Sequence, residues 1–278
     1  MGLKEILVHV DTAPNVEDRI ETAAKLAREH GAVLTGLFII SKPRVPGDIR
    51  AQILSDFTAN QEKSASAAAD RAEQLFREVT ARAGVATDWY RAEGNPAETL
   101  CLHGRYADLV ILGQHHPDYP VPAGAEEIPV QPIMSTGRPI FLLPYEASFR
   151  SYGKRMAIAW DASRLAARAV GDALPLLQRA ESVTILIVNP DGGPAGRGNV
   201  AGAAIRHYLA RHEVDATVQH LKGEATDASR KLQDGAAEAG ADTVVMGAYG
   251  HVRWRELVLG GVTAHMMRNA KTAVLMSH

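Results

Sequence analysis

The stretch whose residue types and spacing point most directly to chemistry is Gly247-Ala248-Tyr249-Gly250-His251-Val252-Arg253-Trp254-Arg255-Glu256-Leu257-Val258-Leu259-Gly260-Gly261-Val262-Thr263. It follows an apolar run, Thr243 to Met246, and leads into a helical pattern from Val262 to Asn269. Open parallel sheets bind ligands at the carboxyl ends of their strands. Glycine at such a place removes the Cβ that would hold an anion away from backbone N–H groups. A following helix adds unsatisfied N–H donors and a partial positive charge aimed at phosphate. Thr263, in the first helical turn, offers a hydroxyl to the same anion. The spacing is neither a Walker A loop nor a dinucleotide-binding fingerprint. As pure structure, Gly247 and Gly250 would serve a turn, and Gly260 and Gly261 a helix start. Both pairs placed between a strand and a helix favour a phosphate cradle. Arg253 and Arg255 are candidate phosphate ligands whose simpler reading is a solvated loop.

Other constellations carry less. His115-His116 followed by Asp118 is a weak metal motif, because adjacent histidines diverge and no third ligand follows at metal spacing. Cys101 falls in a helical segment without an activating neighbour and reads as a buried, inert thiol. No Gly-x-Ser-x-Gly elbow occurs, and no Ser–His–acid triad can be assembled. Phosphoryl transfer needs a positioned metal and a base or water-orienting group, which the glycine motif does not supply. No residue is therefore assigned a catalytic role. Trp160, beside Asp161, is read as core packing.

The elements that must position these residues repeat. Ile6 to Val10 is an apolar strand closed by Asp11, and Val16 to His30 has the spacing of a one-faced helix ended by Gly31. Val33 to Ile40, Thr87 to Ala92, Leu109 to Leu112 and Ile140 to Leu143 read as further strands. A long helical region, Asp48 to Arg82, lies between them, as does a helix opened by Asn95-Pro96-Ala97-Glu98. The order then restarts. Met156 to Trp160 ends on Asp161, Ser163 can cap a helix from Arg164 to Arg179, and Val183 to Val188 matches Val33 to Ile40. Helices over Ala201 to His212 and Thr226 to Ala239, and strands over Ala216 to Leu221 and Thr272 to Met276, complete the second copy. Ala241-Asp242-Thr243-Val244-Val245-Met246-Gly247 parallels Ala107-Asp108-Leu109-Val110-Ile111-Leu112-Gly113 in type. Apolar strands without alternation, separated by helices, indicate parallel sheets covered on both faces.

Composition agrees with two α/β domains in 278 residues. With 30 Lys and Arg against 32 Asp and Glu, the net charge of −2 argues against duplex nucleic acid or an anionic membrane as partner. A single cysteine rules out an internal disulfide framework and fits a reducing compartment. No signal sequence or membrane-spanning run is apparent, so the expected location is the cytoplasm.

On these residues the chain resembles the universal stress proteins. Their ATP-binding members carry Gly-x2-Gly-x9-Gly-(Ser/Thr) after the fourth strand. Gly247, Gly250 and Gly260 match, Gly261 stands where the hydroxyl is expected, and Thr263 matches a second hydroxyl often found two residues later. Asp161 matches the family's acid near adenine and ribose. The resemblance covers nearly the whole chain as a tandem pair. It implies an adenine nucleotide alpha hydrolase-like, Rossmann-like fold, with an open five-stranded, mostly parallel sheet and helices on both faces in each domain. The domains are expected at 1–148, with a degenerate motif, and at 149–278, with the ATP-binding motif. Asp161 and the backbone around Val188 would meet adenosine. Gly247 and Gly250 would line the path to the phosphates, held by Gly260, Gly261 and Thr263. In the first copy, Gly113-Gln114-His115-His116 looks like the branch that does not bind ATP. The second glycine is missing and no Gly-Gly or Gly-Ser opens a helix about ten residues later; Gly124 lies near that later place, but Pro120, Pro122 and Pro129 oppose the same loop-to-helix geometry, leaving Asp11 in a vestigial pocket. The strands Ile140 to Leu143 and Thr272 to Met276 are expected to pair the domains within the chain, with a homodimer as a further level. The function so implied is that of a cytoplasmic stress-response protein whose second domain binds ATP, alone or with Mg²⁺ or Mn²⁺, as a sensing ligand with little or slow turnover. A slow ATPase or nucleotidyl-transfer enzyme, and a nucleotide-free dimeric scaffold, stay open as alternatives.

Overall fold

A computed structural model describes residues 2–41, 51–119, 121, 125–146, 151–188, 198–222, 227–249 and 261–278, with backbone only at 51–61 and 198–201. The chain divides into two compact units, Leu3–Thr136 and Gly137–His278. Residues 147–150, where the sequence places its domain boundary, lie outside the described residues.

In the first unit, β1 (Glu5–Val10), α1 (Val16–His30), β2 (Val33–Ser41), α2 (Ala51–Ala83), β3 (Thr87–Gly94), α3 (Pro96–Gly104), β4 (Leu109–Gly113) and α4 (Val130–Ser135) follow in order. The strands form a parallel sheet ordered β3-β2-β1-β4. Local signals act as the residues suggest. Gly31 ends α1 in the left-handed region at φ 62°, and the Asn95 side chain accepts from the Glu98 N–H at 3.1 Å to start α3. Helix α1 buries Val16, Ile20, Ala23, Ala24 and Ala27 on one stripe, and Arg19 stands on that stripe with them. β3 has only half-buried and exposed positions, as an edge strand does, with Trp89 set against Phe76 at 5.2 Å between ring centroids.

The short helix α4 is an element that the sequence pattern did not mark. Pro129 is its N-cap, and Pro132 sits in its first turn, where the missing N–H would have had no intrahelical partner. Prolines 120 and 122, and Gly124, lie outside the described residues.

The second unit contains β5 (Ile140–Leu143), β6 (Arg155–Ala159), α5 (Arg164–Leu177), β7 (Ser182–Val188), α6 (Gly198–Arg211), β8 (Thr217–Leu221), α7 (Ala228–Glu238), β9 (Thr243–Gly247), α8 (Val262–Asn269) and β10 (Ala273–Ser277). Its strands are ordered β5-β10-β9-β6-β7-β8. Every neighbouring pair is parallel except β5 and β10, which run antiparallel with Phe141 opposite Leu275. These are the two apolar runs expected to pair. Both are buried throughout.

The repeated acids Asp108 and Asp242 have the same structural task at the amino ends of the strands. Asp108 accepts from the Lys4 and Glu5 N–H groups at 2.7 and 3.0 Å. Asp242, 1% exposed, accepts from Gly153, Lys154 and Arg155 at 2.8 to 3.2 Å. Each carboxylate ties the start of the fourth strand of its copy to the start of the first. The opposite, carboxyl ends are left for a ligand. Among the described residues no helix is long and apolar enough to cross a membrane.

Candidate functional site

In the second unit β6 is flanked by β7 and β9, so Asp161, Val188 and Gly247 come together at the carboxyl ends of three adjacent strands. The turn from β6 into α5 is built by side chains. The Asp161 Oδ1 accepts from the Ser163 N–H at 2.9 Å, and the Ser163 Oγ accepts from the Ala166 N–H at 3.1 Å, capping α5. Ala162, between them, is held at φ 60°, a conformation that costs a non-glycine residue about 1 kcal/mol or more. Asp161 is exposed, and its Oδ2 has no partner among the described residues.

Gly247 ends β9 directly against the first turn of α5. A Cβ there would lie 2.7 Å from the Leu165 carbonyl carbon and 2.8 Å from the Ala166 nitrogen. The glycine thus lets the helix start approach the strand end. The chain then turns through Tyr249, at φ 59°. The Tyr249 N–H donates to Thr263 Oγ1 at 3.1 Å, so the buried Thr263 links the beginning of the glycine-rich segment to its end. Gly261 is the N-cap of α8 and exposed, with extended backbone and nothing described within 4 Å of an added Cβ. Among the described residues no side chain caps α8, whose first-turn N–H groups are the kind that receive an anion. Ser277, in register with Gly247, has a buried Oγ without a partner among the described residues, and so has the indole N–H of Trp160. Gly250, Arg253, Arg255 and Gly260 lie outside the described residues.

The first unit places the same kind of acid at the same place. The Asp11 Oδ1 accepts from the Ala13 N–H at 2.9 Å, as the Asp161 Oδ1 does from Ser163. Its Oδ2, however, accepts from the Arg19 guanidinium at 2.9 Å. The same Arg19 nitrogen donates to the His9 carbonyl at 2.9 Å. Arg19 is 2% exposed and lies over Gly113, where a Cβ would fall 2.3 to 2.7 Å from guanidinium atoms. Burial alone would raise the Asp11 pKa, but Arg19, then His9, bring it down to about 2. Burial pushes the neighbouring His9 down to about 4, and the imidazole is neutral at pH 7. Arg19 and His9 were not marked by sequence reasoning. The available signal was an arginine on the buried stripe of α1, at a position whose counterpart 150 residues on is Ala169.

The remaining candidates take up local roles. The His115 Nε2 meets the Ile128 carbonyl, and the His116 Nδ1 accepts from the Asp118 N–H at 3.2 Å. Cys101 is 4% exposed in α3, and burial pushes its thiol pKa up, away from thiolate.

The chain matches the sequence profile of the Universal stress protein family over residues 2–120 and again over 153–278. No curated protein matches it. Among solved structures it is similar to a universal stress protein from Archaeoglobus fulgidus DSM 4304, at 15% identity and a TM-score of 0.77, over 98% of this chain and 97% of the other. It is also similar to a functionally unknown protein from Pseudomonas aeruginosa PAO1, at 13% identity and a TM-score of 0.57, over 99% and 92%. At such identities the structural likeness speaks for the fold alone. The two profile matches, each laid on one copy of the strand-and-helix repeat, account for most of the sequence: the chain belongs to the universal stress protein family, as a tandem member.

Proposed function

We propose that the second half of the chain, taken as a domain from residue 149, binds ATP as a sensing or regulatory ligand, with little or slow turnover. The observation that carries this reading is the half-used carboxylate of Asp161. One oxygen is fixed by the turn into α5 and the other is open. A carboxylate held this way at a strand end suits the hydroxyl and amino groups of an adenosine. Val188 ends the neighbouring strand, and its backbone offers the second contact to the base. Gly247 and Gly250 lead toward the phosphates, and Gly260, Gly261 and Thr263 hold them at the start of α8. Mg²⁺ or Mn²⁺ would arrive with the nucleotide and offset its charge. Since the cradle rests on backbone N–H groups, a chain of net charge −2 needs no basic patch to use it. Location in the cytoplasm and a role in the stress response accompany this reading.

The test is the small-molecule content of purified protein. Mass spectrometry of denatured wild type should find adenine nucleotide, and Gly260→Val should lose it. Equal amounts in both would sink the site assignment. Release of phosphate that stays linear in time with millimolar Mg²⁺ or Mn²⁺ would overturn the reading of slow turnover in favour of an ATPase.

A further inference from the structure

The two Asp turns differ in one partner. Asp11 and Asp161 each spend one carboxylate oxygen on the N–H two residues ahead, at 2.9 Å. The second oxygen of Asp161 is open among the described residues, and that of Asp11 is taken by Arg19. Both residues at the helical position concerned are buried. In α5 it is Ala169, 1% exposed, whereas in α1 it is Arg19, 2% exposed. The Arg19 side chain crosses from its helix to the carboxyl ends of β1 and β4, where it meets the His9 carbonyl, the Asp11 carboxylate and the face of Gly113. Gly113 matches Gly247 in the repeat, yet the two glycines make room for different things. One admits a guanidinium and the other the backbone of a helix start. The Arg19 Nε–H is buried without a partner among the described residues.

We propose that Arg19 is a built-in occupant of the first unit's strand ends, holding the acid whose counterpart, Asp161, receives an adenosine in the second. At this helical position the two halves differ by one side chain: Arg19 reaches the second oxygen of Asp11, and Ala169 has nothing with which to reach that of Asp161. Arg19 is a specificity-determining residue in this sense, and the inference rests on the reading that Asp161 receives the nucleoside. A buried guanidinium facing one carboxylate gains little net stability over an apolar filling, but removing it strands the carboxylate. The contact therefore acts chiefly by exclusion.

The test is an amide NMR titration with adenosine, a probe that needs no phosphate cradle. In Arg19→Ala, adenosine should shift the signals of Asp11, Ala13 and Gly113, and in wild type it should leave them unmoved. Shifts at these residues in wild type, or none in the variant, overturn the proposal. The same spectra report Asp161 and Gly247 separately. If those stay still in both proteins while the Arg19→Ala signals move, the reading of the second half fails and the occupant stands. Should Arg19→Ala not fold, the Nε–H proton of Arg19 in wild type decides. Exchange with water at least about a hundredfold slower than for exposed arginines supports the occupant, and exchange at their rate overturns it.

Discussion

At the scale of single residues, glycines of one motif are glycine for different reasons. Gly247 answers a steric demand, since its Cβ would enter the backbone of α5 at 2.7 to 2.8 Å. Gly247→Ala should therefore cost about 1–3 kcal/mol, read from the urea unfolding midpoint. Wild-type stability in this variant would mean that the helix start shifts freely. Gly261 answers no steric demand among the described residues. Gly261→Ser puts back the expected hydroxyl at an N-cap, where serine is at least as good as glycine. Stability should move by only a few tenths of a kcal/mol, and ATP affinity measured by calorimetry should rise by about fivefold for one added hydrogen bond. Unchanged affinity would show that position 261 does not reach phosphate. In the first unit, His9 is buried beside Asp11, Arg19 and His115, with its pKa lowered to about 4. As pH falls below about 6.5, the unfolded chain takes up a proton at His9 that the folded chain refuses until about 4. Stability is thus lost on acidification across that window, by up to about 3 kcal/mol at its acid end. Asp11, lowered to about 2, continues the loss from about 4 downward. Urea midpoints of wild type should fall between pH 6.5 and 4 more steeply than those of His9→Gln, and equal slopes would place the acid sensitivity elsewhere.

At the scale of elements, Asp108 and Asp242 show how a repeated residue can be structural. The Asp242 carboxylate satisfies the N–H groups of Gly153, Lys154 and Arg155 as the chain enters β6. Asp242→Ala removes the carboxylate from these donors in a buried place, where the Gly153 N–H keeps a second acceptor, Thr243 Oγ1 at 2.8 Å. A loss of about 2–4 kcal/mol in unfolding stability is expected, with Asp161 and the crevice at the far end of the strands untouched. A loss below about 0.5 kcal/mol would show that water replaces the carboxylate. The strands and most helices were legible from the sequence because their signals are local. α1, β5 and α8 run over the residues their apolar spacing marks, and Asn95 caps α3 as its type suggests. α4 was not legible, since its 6 residues are too short for an apolar period to show, and Pro132 in its first turn costs it no intrahelical hydrogen bond. Neither was the Arg19–Asp11 pair. Their separation of eight residues follows no motif, and the pairing depends on the sheet bringing Gly113 under the guanidinium. Long-range placement of this kind appears in sequence only as an anomaly, here a charge on an apolar stripe. Asp161 was legible as a strand-end acid, but not the division of labour between its two oxygens.

At the scale of the whole molecule, a tandem chain could carry two working crevices, one or none, and the geometry favours one. The first copy has its acid engaged by Arg19 and lacks the second glycine of the motif, with Gln114, His115 and His116 directly after Gly113. Among the described residues the second has one oxygen of its acid open and a helix start with no capping side chain. Calorimetry should therefore find one ATP for each 278-residue chain. Asp161→Asn keeps the turn-forming oxygen and the size of the side chain but removes the charge, so ATP affinity should drop by about tenfold or more while the fold is retained. Asp11→Asn should do the reverse. It deprives Arg19 of its carboxylate and lowers stability by about 3–5 kcal/mol, the cost of stranding a buried charge, yet leaves both the affinity and the ratio of one nucleotide per chain unchanged. The crossed pattern is the decisive one, because general destabilisation would weaken binding in proportion to stability in either variant. Two nucleotides per chain, or an affinity that follows Asp11 and ignores Asp161, would reverse the assignment of the working half.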